Sequence, residues 1–149
     1  MSESIQNWFI FCDGASRGNP GPSSTGFLIK DRSDKIIFSN GSFLGTATNN
    51  EAEYSALIES LKKAADLAVE NNFISPDGTN LIDLQIFMDS ELVVKQIRGI
   101  YKVKHERMKP LHKTASNLLL SFSSFKIDSI RREKNSEADF IANQVLDNL

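Results

Sequence analysis

Residues 8–22 read WFIFCDGASRGNPGP, and the architecture follows from this stretch. The short run rich in aromatic residues, 8–12, is typical of a strand buried on both faces. The run stops at Asp13, and the Gly, Asn and Pro residues after it predict a turn-rich loop over 14–22. The sequence therefore predicts a buried strand with an acidic residue at its carboxyl end, where open α/β sheets bind their ligands.

Hydrophobic periodicity assigns most of the remaining chain to strands and helices. Strands are predicted at 25–30, 35–44, 84–88 and 125–130. Helices are predicted from Thr48 to Asn71, near 90–98, near 108–120 and at 136–147. The order βββαβααβα indicates an α/β fold in which helices pack on one sheet.

Composition narrows the class of protein. The 149 residues, 40% of them hydrophobic, predict one globular domain over 1–149, and the net charge of −2 does not by itself indicate a nucleic-acid-binding protein. Cys12 is the single cysteine, which excludes an intramolecular disulfide. The first residues lack the pattern of a signal peptide, and no apolar run approaches the ~20 residues of a membrane span. We therefore expect a cytoplasmic protein with no membrane partner.

Two acidic residues, Asp13 and Asp89, each end a predicted strand. Glu53 is less ordinary, because at about 100° per residue it falls on the apolar stripe of its helix, near Leu57. A core-facing glutamate is costly unless it meets a cation or strong donors. Each residue also has a structural interpretation: Asp13 as a turn residue, Asp89 as a helix N-cap, and Glu53 as a first-turn residue that turns to solvent.

Asp139 follows Ser136 by three residues, a helix-capping pattern that alone would explain it. Thr48 and Glu51 form the same pattern, which accounts for Glu51. If the four remaining acids converge, their mutual repulsion requires a divalent cation, and an all-oxygen set suits Mg²⁺ or Mn²⁺. A zinc site is not expected, since the chain offers only His105, His112 and Cys12 as nitrogen or sulfur ligands.

Four motifs occur in order along the chain: DGASRGNPGP at 13–22, TNNEAEY at 48–54, MDS at 88–90 and REKNSEAD at 132–139. Together they resemble the motifs of the type 1 ribonuclease H family. The resemblance implies a mixed five-stranded sheet whose first three strands form an antiparallel meander. It also implies a metal-dependent endonuclease that hydrolyses the RNA strand of RNA–DNA hybrids, leaving 5′-phosphate and 3′-hydroxyl ends.

The resemblance assigns roles to particular residues. Asp13, Glu53, Asp89 and Asp139 match the family's metal-binding carboxylates, which hold two divalent ions. The expected substrate contacts come from the first two motifs: Gly14, Ser16, Arg17, Gly18, Asn19, Asn49 and Asn50. Backbone amides and short side-chain amides suit contact with the 2′-hydroxyl that distinguishes RNA from DNA.

The chain departs from many family members in two places. In both, it resembles a compact branch of the family. No histidine lies on the loop before the last helix; Arg132 stands there, and we expect it to bind phosphate as a catalytic-site residue. The family's basic protrusion is missing, and residues 102–113 run in its place with five Lys or Arg and one Glu, net +4, which leaves −6 elsewhere. Lys102 and Lys104 are candidate backbone contacts, although a merely solvated helix edge explains them too.

Two other functions stay open from the sequence. One is a binding module that keeps the fold and holds hybrid or RNA without cutting it; the four intact carboxylates favour the enzyme instead. The other is a nuclease of the same superfamily that also cuts double-stranded RNA. We expect a monomer. We also expect low processivity, because the segment before the first strand is too short for a separate hybrid-binding domain.

Overall fold

A computed structural model describes residues 4–149. These residues form five strands, β1 (Gln6–Ser16), β2 (Gly21–Lys30), β3 (Ile36–Ala47), β4 (Asn80–Met88) and β5 (Phe122–Ser129). They also form four α-helices, α1 (Asn49–Glu70), α2 (Glu91–Ile97), α3 (Met108–Leu119) and α4 (Ser136–Asp147), and a short 3₁₀ turn, Arg132–Lys134. The predicted order is confirmed. Over residues 4–149, no helix has both the length and the apolar character needed to cross a membrane.

The five strands form one mixed sheet in the order β3-β2-β1-β4-β5. The pairs β1/β2 and β2/β3 are antiparallel, so the expected meander is present. The pairs β1/β4 and β4/β5 are parallel. Because β1 and β4 are parallel neighbours, with Phe11 opposite Phe87, Asp13 within β1 and Asp89 directly after β4 are brought together at one edge of the sheet.

Helices cover both faces of the sheet around β1 and β2. The Thr25 hydroxyl donates to Glu59 of α1 at 2.7 Å, whereas the Ser24 hydroxyl donates to the Ala142 carbonyl of α4 at 2.5 Å. Since neighbouring side chains of a strand point to opposite faces, α1 and α4 lie on opposite sides of β2. The main core lies on the α1 side, where Ile10, Leu57 and their neighbours are fully buried.

The turn-rich loop predicted over 14–22 is wrong in its extent. β1 continues to Ser16 and β2 begins at Gly21, so that only residues 17–20 turn. The pairing of Ser16 with Ser23 and the Arg17 N–H bond to the Pro22 carbonyl, 2.8 Å, close the hairpin. Strand pairing outweighs the local preference of Gly and Pro for turns, because each paired residue satisfies its backbone groups. β3 likewise runs three residues beyond its predicted end, and β5 begins three residues earlier than predicted.

The prediction that residues 8–12 are buried on both faces is also wrong. Trp8, Ile10 and Cys12 are buried against the α1 side, while Phe9 and Phe11 are only half-buried on the other face. Phe11 stacks on Phe87 of β4 with ring centroids 5.1 Å apart. The apolar run therefore reflects one packed face and one partly exposed aromatic face.

Candidate active site

Three carboxylates meet at the edge of the sheet where β4 ends beside the second half of β1. Asp13 lies in β1, Asp89 directly follows β4, and Glu53 lies near the start of α1. One carboxylate oxygen from each lies within 4.8 Å of the others. Asp13 and Glu53 are 4% and 6% exposed, and Asp89 is half-buried. The three acids thus form a compact group of oxygen ligands.

Gly14 allows Glu53 to come this close to β1. A Cβ atom at Gly14 would lie 2.3 Å from the Ala52 carbonyl carbon, so only glycine permits this contact between α1 and the strand. The Gly14 N–H donates a hydrogen bond to Glu53 Oε1. The backbone of the residue after Asp13 therefore fixes the second carboxylate of the group.

The structural alternatives for Glu53 and Asp89 are both wrong. Glu53 is buried and does not turn to solvent. Asp89 does not cap α2, because Ser90 is the N-cap and its hydroxyl accepts the Val93 N–H at 3.3 Å. Glu51 has the role expected of it: it accepts the Thr48 N–H at 2.9 Å in a complete capping box.

Asp139 lies on α4 and lines the same cleft, but it is not one of the three acids that lie within 4.8 Å of one another. Its capping interpretation is wrong, since α4 starts at Ser136 and its N-cap, Asn135, makes no side-chain capping bond. Arg132 Nη2 lies 3.5 Å from Asp139 Oδ1, and Asn143 Nδ2 lies 3.1 Å from the same oxygen. The fourth carboxylate is thus held by donors at the rim of the group.

Burial and like charge change the acidity of this group. Burial, reinforced by the neighbouring carboxylates, raises the pKa of Asp13 from 3.8 to about 8. Burial and the charge of Asp13 also raise the pKa of Glu53 well above its usual range. Such a cluster is unfavourable when all its acids are ionised and no cation is bound. A divalent cation would compensate its charge, and the all-oxygen ligands suit such a cation.

The acids open onto a cleft of about 420 Å³. The other residues that line it are Gly14, Ala15, Ser16, Arg17, Asn49, Asn50, Ser90, Arg132 and Asn143. Gly18 and Asn19, predicted to bind substrate, lie in the adjoining turn, where Asn19 Oδ1 accepts the Asn49 N–H at 3.1 Å. Gly18 has φ +119°, a conformation that favours glycine. The hydrogen bond from Asn49 to Asn19 ties this turn to the N-terminus of α1.

Lys102 and Lys104 are not part of the cleft. Lys102 lines a separate groove between α2 and α3 with Tyr101 and His112, and Lys104 is exposed on the loop between these helices. Arg107 of the same segment lies nearer, with Nη1 3.9 Å from Glu51 Oε1 at the N-terminus of α1. The basic segment 102–113 thus extends from that groove to the helix that carries Glu53.

Ser90 and Asn143 also line the cleft, and neither is among the residues predicted from the sequence. Ser90 follows Asp89, and the signal for it is the presence of two adjacent cap formers at the start of α2. Asn143 lies four residues after Asp139, a spacing at which an amide and a carboxylate on one helix meet. That spacing is the signal that the sequence offers for Asn143.

Comparison with known proteins agrees with this geometry. The family described as reverse transcriptase-like matches residues 11–145. A ribonuclease HI of Halobacterium salinarum is 36% identical over 137 residues, which cover 92% of this chain and 63% of that relative. The chain therefore spans less than two thirds of that relative's length.

Two solved structures are similar over nearly their whole length. RNase H1 from Halobacterium salinarum superposes with a TM-score of 0.85 at 35% identity, covering 96% of this chain and 99% of that one. LC11-RNase H1, isolated from compost and crystallised with an RNA/DNA hybrid, has a TM-score of 0.83 at 32% identity, covering 95% and 97%. The sheet order and the carboxylates at its edge define the ribonuclease H-like class. Within that class, the chain belongs to the type 1 ribonuclease H family.

Proposed function

We propose that this protein is an endonuclease that hydrolyses the RNA strand of RNA–DNA hybrids with divalent cations and leaves 5′-phosphate and 3′-hydroxyl ends. The observation that carries the proposal is the buried group of Asp13, Glu53 and Asp89 at the base of an open cleft. A relative with the same fold was crystallised with an RNA/DNA hybrid, which supports the substrate class.

Asp13, Glu53, Asp89 and Asp139 would hold two Mg²⁺ or Mn²⁺ ions. When bound, such ions activate a water molecule and stabilise charge on the leaving oxygen. Burial of Asp13 and Glu53 keeps bulk water from weakening these carboxylates as ligands. Asp139 is half-buried on a different element, so it closes the group from the side of α4.

The polar residues around the acids suit the minor groove of a hybrid. Asn49 and Asn50 lie exposed at the first residues of α1, where their side-chain amides can reach a 2′-hydroxyl. Gly14, Ser16 and the Gly18-Asn19 turn present backbone and hydroxyl groups beside them. These contacts select RNA on one strand without reading its sequence.

Arg132 would bind a phosphate of the cleaved strand. It lines the cleft, its side chain is 76% exposed, and it lies next to Asp139. An arginine stays protonated at neutral pH, so it supplies two donors to a phosphate oxygen and does not act as a general base. The neighbouring Arg131 is 82% exposed and pairs with Glu133 at 4.0 Å, outside the cleft lining.

The basic segment 102–113 provides a second contact to the nucleic-acid backbone in this proposal. Lys102 and Lys104 add charge to the segment, and Arg107 lies beside the first turn of α1, whose Asn49 and Asn50 line the cleft. Such contacts contribute affinity that falls with salt, and they contribute no sequence preference.

The proposal is tested by incubating end-labelled RNA–DNA hybrid, RNA duplex and DNA duplex with the protein in Mg²⁺, Mn²⁺ or EDTA. We expect internal cleavage of the RNA strand of the hybrid in either metal and none in EDTA. The fragments should carry 3′-hydroxyl and 5′-phosphate ends, which RNA ligase can join. Binding of hybrid without cleavage would indicate a binding module instead. Equal cleavage of RNA duplex would replace hybrid selectivity with a broader ribonuclease activity.

A further inference from the structure

Asn143 makes two hydrogen bonds to Asp139 from one turn further along α4. Its Nδ2 donates to the Asp139 backbone carbonyl at 2.9 Å and to the Asp139 carboxylate Oδ1 at 3.1 Å. Asn143 is half-buried and lines the cleft. One amide group therefore bridges the main chain and the side chain of the fourth carboxylate.

The bond to the carboxylate distinguishes Asn143 from other asparagines in the same local setting. Asn71 and Asn148 also donate from Nδ2 to the carbonyl four residues earlier, at 2.8 Å and 2.9 Å. Those carbonyls belong to Leu67 and Gln144, which present no carboxylate. The backbone bond is thus ordinary for asparagine near a helix end, but of these three asparagines only Asn143 also donates to a carboxylate.

Arg17 fixes which way the Asn143 amide points. Arg17 Nη2 lies 3.5 Å from Asn143 Oδ1 and 3.4 Å from the Asn143 backbone carbonyl, and it pairs with Asp147 at 2.5 Å. A guanidinium only donates, so the amide oxygen faces Arg17 and the amide nitrogen faces Asp139. The β1–β2 turn and α4 therefore both orient the amide.

We propose that Asn143 is a positioning residue that sets the rotation of the Asp139 carboxylate for divalent-cation binding, an inference that rests on the proposed function. Asn143 donates to one carboxylate oxygen, and Arg132 donates to the same one, so the plane of the carboxylate is set from two sides. Without the amide, the carboxylate rotates more freely and must be ordered when the cation binds. Loss of a residue that orients a metal ligand typically lowers metal affinity about 10- to 100-fold.

The test compares Asn143→Ala with Asn148→Ala, which removes the same type of backbone bond from the same helix. Mn²⁺ binding is measured by calorimetry, and the Mg²⁺ dependence of hybrid cleavage is measured separately. We expect Asn143→Ala to raise the Mn²⁺ dissociation constant and the half-saturating Mg²⁺ concentration at least about tenfold. Asn148→Ala should leave both within about twofold, because its amide meets no carboxylate.

Asn143→Gln provides a rescue, because a glutamine amide can also reach an aspartate on the same helix face. We expect it to bind Mn²⁺ more tightly than Asn143→Ala does. Unfolding temperatures in EDTA show that all three variants fold. If Asn143→Ala folds and binds Mn²⁺ as the unaltered protein does, the positioning role is wrong while the proposed function stands. If the unaltered protein neither binds Mn²⁺ nor cleaves hybrid, the proposed function fails and removes the basis of this inference.

Discussion

Asp13 is a residue whose chemistry is strongly altered by the fold. It is 4% exposed, and burial with two neighbouring carboxylates raises its pKa from 3.8 to about 8. An acid that is buried beside like charges opposes folding whenever it is ionised. The site is therefore built at the expense of stability, as sites that must bind cations often are.

Replacing Asp13 by Asn should stabilise the protein in EDTA at high pH. Because the folded-state pKa lies above the unfolded value, Asp13 contributes stability that is fully present below about pH 4 and is lost as the pH rises through about 8. Asn has no charge to lose, so Asp13→Asn should unfold at a higher temperature than the unaltered protein at pH 8, and the difference should be smaller at pH 5. Thermal unfolding in EDTA from pH 5 to 9 measures this difference. A gap between the two proteins that does not widen with pH would contradict it.

At the scale of elements, two glycines set the distance of the helices from the sheet. Gly14 faces the backbone of α1, and Gly26 of β2 faces the backbone of α4. A Cβ at Gly26 would lie 2.5 Å from both the Ala138 carbonyl oxygen and the Ala142 nitrogen. The helices that carry Glu53 and Asp139 thus lie directly on the strands.

Gly26→Ala should displace α4, because the clash involves helix backbone that cannot rotate away. We expect a loss of about 1–3 kcal/mol or more in the free energy of unfolding, the usual range for an overpacked core. Cleavage activity at a temperature where the variant is folded should also fall, since Asp139 moves with the helix. Ser39→Ala on the exposed part of β3 is the control and should change stability by less than about 0.5 kcal/mol. Equal stability of both variants in urea denaturation would show that α4 is not held by this contact.

Hydrophobic period and turn residues identify most elements from the sequence, because burial of one face repeats regularly along a strand or helix. The strands of the β1–β2 hairpin are longer than predicted. The sequence underestimates them because their glycines and prolines indicate turns, whereas the pairing between the two strands is not visible in the sequence. Glu53 could be predicted because a charge on an apolar stripe is anomalous. The spacing of Asn143 from Asp139 allows a contact between them, but it could not show that Asn143 lines the cleft, because that depends on which face of α4 is turned toward the acids.

At the scale of the whole molecule, charge is unevenly distributed. The chain has a net charge of −2, and the segment 102–113 alone carries +4. The segment reaches from the groove beside Tyr101 to Glu51 at the start of α1. An acidic protein can thus present one basic side to a polyanion while its carboxylates bind cations.

Neutralising Lys102 and Lys104 together should raise KM more than it lowers kcat, because in the proposed function these residues would bind backbone phosphates away from the carboxylate group. The slope of log binding constant against log salt should flatten by up to about one for each lysine–phosphate ion pair that the substitutions remove. Lys35→Ala is the control, since the turn after β2 lies at the opposite end of β1 from Asp13. Fluorescence anisotropy with labelled hybrid in EDTA gives the slopes. An unchanged slope in the double variant would show that Lys102 and Lys104 do not contact the nucleic-acid backbone.

The central claim, that the buried acids carry hybrid cleavage, is tested most directly by comparing two neighbouring glutamates. Glu53 belongs to the buried group, whereas Glu51 caps α1 and accepts the Thr48 N–H. Glu53→Gln removes a ligand charge, so we expect single-turnover cleavage of hybrid in Mg²⁺ to fall at least about a hundredfold. Glu51→Gln should keep nearly full activity, since Gln also serves at this position of a capping box. Full activity of Glu53→Gln, or a larger loss in Glu51→Gln, would contradict the account.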